Sequence, residues 1–223
     1  MASKREVLVA SAEKSLQKGK VDAALKDYLK VLEETPGDIN ILNKVGDLNV
    51  RLGRNEDSIP YFLRIAEHYG HDGFYVRAIA MYKKINKLDP ARLDIYEKLA
   101  ELYVKQQLWM EAKSNYQVLA DYLLKQDNLT GAIGIYQKMV AIEQGNLQLH
   151  VKLADLFTQA KRIPEALREY GVVAAALSER GANEEAIRVY EKALKLAPDN
   201  VEILRTLVPL LLSINAIDQA RAV

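Results

Sequence analysis

The chain has 223 residues, 49% hydrophobic and 27% charged, with 31 basic against 30 acidic side chains. It is too apolar for disorder, and its charge balance lacks the basic field that nucleic acid or an anionic membrane surface would demand. It contains no cysteine, which removes disulfides, thiolate catalysis and cysteine-ligated zinc, and only 11 Gly and 6 Pro, too little punctuation for an all-β fold.

The N-terminal stretch has a short apolar run interrupted by Glu6 and Glu13, which does not make a signal peptide. The longest apolar run, Leu207 to Leu212, falls far below the ~20 residues a membrane span needs, so a soluble, cytoplasmic protein without membrane insertion is expected. In chain order, apolar residues recur at i, i+3, i+4 and i+7. With Gly, Asn and Pro at the breaks, this predicts helices over 5–18, 21–34, 39–52, 57–70, 75–88, 92–106, 109–125, 129–143, 146–160, 164–180, 183–196 and 200–214, and a thirteenth from about 217.

The helices follow a long repeat. KVGDL at Lys44, KLAEL at Lys98 and KLADL at Lys152 are separated by 98 − 44 = 54 and 152 − 98 = 54 residues. AIAMY from Ala78, AIGIY from Ala132 and AIRVY from Ala186 keep the same step. Small residues at Ala24, Ser58, Ala78, Ala112, Ala132, Ala166, Ala186 and Ala220 alternate spacings of 34 and 20. In most of them an aromatic residue follows four positions later, as in Tyr28, Phe62, Tyr116 and Tyr190. A self-similar period of this length signals a stacked helical array, because no single hairpin buries its apolar stripe alone.

The unit at 93–126, with Tyr96, Leu99, Ala100, Tyr103, Ala112, Tyr116 and Leu119, resembles the tetratricopeptide repeat family. So does 167–198, with Tyr170, Ala174, Ala186, Tyr190 and Pro198. The overlap of such windows means that the middle helix of each trio closes one hairpin and opens the next. The helices at 57–70, 109–125 and 164–180 are therefore expected to pack against both sequence neighbours. The expected fold is all-α, a right-handed solenoid of 12–13 antiparallel helices. It forms a single domain over 1–223, with units 1–38, 39–92, 93–146, 147–200 and an incomplete 201–223.

No constellation for catalysis, cofactor or metal emerges. His68, His71 and Asp72 offer two ligand positions on one face but lack a third, and His150 stands alone. GHDG and GANEE fit no phosphate loop. The chain is read as a non-enzyme without cofactor.

What the resemblance implies is a scaffold that binds a peptide, helix or partner domain. In tetratricopeptide domains the opening helix lines the groove, so Asn40, Asn43, Lys44, Asp47, Arg51, Glu97, Lys98, Glu101, Lys152 and Asp155 are candidate partner contacts. The bland alternative is that Lys44–Asp47, Lys98–Glu101 and Lys152–Asp155 are solvated i, i+3 pairs worth ~0.2–0.5 kcal/mol each. The recurring acids argue for a protein or peptide partner that is not acidic, and against nucleic acid. An odd number of helices per period reverses successive units, so the three acids need not share one face. Leu204, Leu207, Val208, Leu211 and Leu212 on the last opening helix have only a fragment after them to cover them. They are expected to pack end to end with a second copy, as part of a longer repeat protein. Self-assembly is thus the alternative function, and an RNA-binding repeat a remoter one.

Overall fold

A computed structural model describes residues 3–214 and 220. Among these it contains twelve α-helices and no strand. They are α1 (Lys4–Gln17), α2 (Val21–Glu34), α3 (Ile39–Arg51), α4 (Asn55–His71), α5 (Tyr75–Leu88), α6 (Leu93–Lys105), α7 (Trp109–Lys125), α8 (Leu129–Ile142), α9 (Leu147–Gln159), α10 (Ile163–Glu179), α11 (Asn183–Leu194) and α12 (Val201–Ser213). Every helix lies within two residues of its predicted bounds. Of the predicted thirteenth helix only Ala220 lies among the described residues.

The chain forms two compact units, one to Asn115 and one from Tyr116. In the first, each helix from α1 to α6 packs on the next, and α4 packs on both α3 and α5. In the second, α8 to α12 do the same, with α10 against both α9 and α11. The dual role predicted for the middle helix therefore holds for α4 and α10. No helix among the described residues is long and apolar enough to cross a membrane.

Local chemistry sets the ends of these helices. Ser3 and Glu6 form a reciprocal capping box on α1, while Asp38, Asn146 and Asn200 accept from the first free amides of α3, α9 and α12. The turns carry the repeat in their backbone. Positive φ occurs at Gly19, Gly53, Gly73, Gln107, Asp127, Lys161 and Gly181, spaced 34 and 20 alternately. Three of these seven are not glycine, so the turn geometry is imposed by the packing of the helices rather than chosen by the residue.

The core is built from the two columns read in the sequence. Ala24, Ser58, Ala78, Ala112, Ala132, Ala166 and Ala186 are all 0% exposed. The aromatic residue four positions on is buried each time, from Tyr28 and Phe62 to Tyr190. A small residue lets two helices approach closely, and the ring fills the space one turn along. The end-packing expectation needs correction here. Leu207 and Leu211 are 0% and 1% exposed, because α12 turns this stripe onto α11. They belong to the chain's own core. Leu204 and Val208 are half-buried, and Leu212 is 51% exposed.

Candidate functional site

The charged residues of the repeat assemble around the buried rings. Lys44 of α3 does not pair with Asp47 on its own helix. Its Nζ lies 3.1 Å from Glu13 Oε1 of α1 and 3.2 Å from the Tyr28 hydroxyl of α2, and 5.1 Å from the centre of the Tyr28 ring. Asp47 is bonded by Asn43 at 3.1 Å and by Lys84 of α5, whose ammonium sits 3.9 Å over the Phe62 ring of α4. The second unit repeats the motif. Lys192 of α11 and the Tyr170 hydroxyl of α10 both donate to Asp155 of α9, with Lys192 5.1 Å over the Tyr170 ring. In each cluster an acid and a lysine from helices i and i+2 meet across an aromatic ring of the helix between them.

The surroundings tune these groups. Burial opposes charge on Lys44 and Lys192, yet hydrogen bonds to Tyr28 and Glu13, and to Asp155 and Tyr170, hold both ammonium groups above the usual lysine value. Burial, then Asp155, pushes the Tyr170 phenol up. Burial, then the charges of Glu67, Asp94 and Glu101, pushes Tyr82 up to about 12. Asp47 and Asp155 are therefore acids already matched by cations, and the expectation of solvated i, i+3 pairs fails for Lys44–Asp47.

The ten candidate contacts do not share one surface. Within the first unit, Asp47 joins α3 to α5, whereas Lys98 and Glu101 face Glu67 of α4 across Tyr82 of α5. Asn43, Lys44 and Asp47 thus lie on the side of the odd-numbered helices, and Lys98 and Glu101 on that of the even ones, as an odd number of helices per period requires. Asn40 and Arg51 are exposed at the two ends of α3, and Glu97 is half-buried on α6.

In the second unit, Lys152 and Asp155 stand at the edge of a groove of about 520 Å³ formed by α9, α10 and α11. Leu147 and Val151 of α9, Val173 and Leu177 of α10, and Val189 of α11 make an apolar floor. Gln148, Glu185 and Arg188 complete the rim, so it carries two charges of each sign. A volume of this size with an apolar floor suits ligand capture. A second depression, about 530 Å³ between α10, α11 and α12, is lined by Arg168, Asn200, Glu202 and Thr206 and is more polar.

His150, which stood alone in the sequence, is 7% exposed and fully engaged. Its Nδ1 lies 2.6 Å from Glu169 of α10 and its Nε2 2.9 Å from the Gln144 carbonyl. His68 and His71 both turn to Asp72, at 3.4 and 3.2 Å, closing the end of α4. No group of three metal-binding side chains occurs among the described residues. Sequence reasoning missed the lysines at 84, 138 and 192, although they keep the 54-residue step that located the acids.

Residues 177–223 match the family model described as tetratricopeptide repeat. No curated protein matches. Among solved structures, a set of nearly identical TPR-like repeats from Podosopora anserina is 16% identical, with 88% of this chain and 97% of that chain covered and a TM-score of 0.43. The MamA protein is 18% identical over 91% of this chain and 96% of its own, with a TM-score of 0.27. A Naa15/Naa10 structure is 16% identical over 94% of this chain, at a TM-score of 0.29, and this chain spans 39% of that one. The match over 177–223 likens that part of the chain to the tetratricopeptide repeat, and the small and aromatic columns carry the same helical-hairpin pattern through the preceding helices.

Proposed function

We propose that the chain is a protein-interaction scaffold whose second unit receives an apolar peptide or helix in the groove between α9 and α11. The observation that carries this reading is the groove itself, an apolar floor of Leu147, Val151, Leu177 and Val189 under a rim with charges of both signs. A preformed groove on stacked helices costs little ordering when occupied, so burial of the ligand's apolar face drives binding. Lys152 and Arg188 oppose Asp155 and Glu185 across the rim, which favours a ligand without strong net charge. Asp155 serves mainly to hold Lys192 and Tyr170, and Lys152 is the exposed candidate contact at this rim. The groove is read as a surface for apolar capture.

The test is selection of phage-displayed peptides on the intact chain, repeated on a V151E/V189E variant with unchanged helical circular dichroism. Peptides rich in Leu, Ile or Phe should be recovered on the parent and lost on the variant. Recovery of the same peptides on both proteins would place binding elsewhere.

A further inference from the structure

We propose that the edge of the first unit where the α4–α5 and α6–α7 turns meet is a second docking surface, for an apolar protein segment flanked by carboxylates. This surface is distinct from the groove of the second unit and does not depend on it.

Its apolar side chains are unusually bare. Val76 is 70% exposed, Met110 69%, Phe74 51%, Trp109 43% and Leu108 42%. Lys105, at the end of α6, lies 5.2 Å over the ring of Tyr75, at the start of α5, which brings the two turns together. The repeat shows what normally occupies this place. One period earlier, Val76 and Leu108 correspond to Asp22 and Arg54 (76 − 54 and 108 − 54), and those two form an ion pair at 2.9 Å. One period later, the place of Leu108 is taken by Arg162, paired with Glu165. Trp109 and Met110 likewise replace Asn55 and Glu56. The exposed ion pair of the preceding period has been exchanged here for exposed aliphatic and aromatic surface. Such a patch, rich in Trp, Met and Phe, has the composition of an interaction hot spot rather than of a solvated turn.

Charge identifies the occupant. The Arg77 guanidinium carbon lies 5.6 and 5.2 Å from the centres of the Tyr69 and Phe74 rings, and Lys105 lies over Tyr75. Neither meets a carboxylate among the described residues. Of the nearby acids, Asp72 is engaged by His68 and His71, Glu101 has an interaction of its own, and the charge of Glu111 acts on Lys83. Two unmatched cations within an apolar patch fit a segment with Leu or Phe anchors and Asp or Glu beside them, since guanidinium and carboxylate pair with two hydrogen bonds.

Trp109 is the single tryptophan of the chain, so its fluorescence reports directly on this patch. The probes are two synthetic amphipathic peptides without tryptophan, sharing a Leu/Phe face, one flanked by Glu and the other by Lys. The Glu peptide should shift Trp109 emission to the blue and bind about tenfold more tightly than the Lys peptide, with the preference fading at high salt. The variant V76D/L108R restores the ion pair the chain itself uses at Asp22 and Arg54, so it should fold and lose the shift. R77E/K105E should reverse the preference toward the Lys peptide. Equal binding of both peptides, or a V76D/L108R variant that binds as the parent does, would overturn the proposal. So would a shift that grows with protein concentration alone, which indicates a second copy, or one produced by anionic phospholipid vesicles and not by the Glu peptide.

Discussion

Gly46 of α3 offers a test in which two known effects oppose each other. A Cβ added there would lie 2.5 Å from Phe62 Cε1 and 2.7 Å from Cζ, closer than carbon atoms tolerate. Replacing a helix-interior glycine with alanine gains ~1 kcal/mol from propensity alone. Overpacking a tight core costs ~1–3 kcal/mol, depending on whether the neighbour yields. Phe62 is 0% exposed and its face is covered by Lys84 at 3.9 Å, so the ring has nowhere to go and the upper part of that range applies. Gly46→Ala should therefore destabilise by ~1–2 kcal/mol net, read as a lower urea midpoint with an unchanged slope. Phe62→Leu makes room for the methyl group, so the double variant should cost ~2 kcal/mol less than the sum of the singles. A Gly46→Ala protein more stable than the parent, or strict additivity with Phe62→Leu, would show that the ring moves freely and refute the argument. The repeat alone points the other way, since Ala100 and Ala154 occupy the equivalent positions.

At Lys161 the backbone φ is +59°, a conformation costing a side-chain-bearing residue ~1–2 kcal/mol, so Lys161→Gly should raise the urea midpoint by part of that amount even though glycine loosens the unfolded chain. The Tyr82 phenol titrates near 10 when unfolded and about 12 when folded. The folded state therefore holds its proton longer, and the stability this provides is complete below pH 10 and is lost as pH rises toward 12. Urea melts across that range should fall less steeply for Tyr82→Phe, with a remaining slope from Tyr170 and Tyr190, which burial also pushes up.

The helices, their bounds and the two core columns were legible in the sequence because each depends on short-range periodicity. A small residue followed four positions later by a ring is a local pattern, and repetition every 54 residues removes the ambiguity of any one copy. The partners of the charged residues were not legible that way. Lys44 and Asp47 are three residues apart and suggest a pair, but the fold gives Lys44 to Glu13, 31 residues away, and Asp47 to Lys84, 37 residues away. Those choices depend on helices i and i+2 approaching across a ring, and a one-dimensional spacing does not encode that approach. Exposure is equally a tertiary matter. Leu207 and Leu211 look like an open end until α12 turns them onto α11, while Leu108 and Trp109 look like ordinary turn residues until their neighbours leave them bare. The sequence by itself determined which residues build the helices and fill the space between them, because burial follows periodicity. The tertiary structure alone decided which charges are matched and which apolar surface is left for a partner, because both depend on distances between helices remote in the chain.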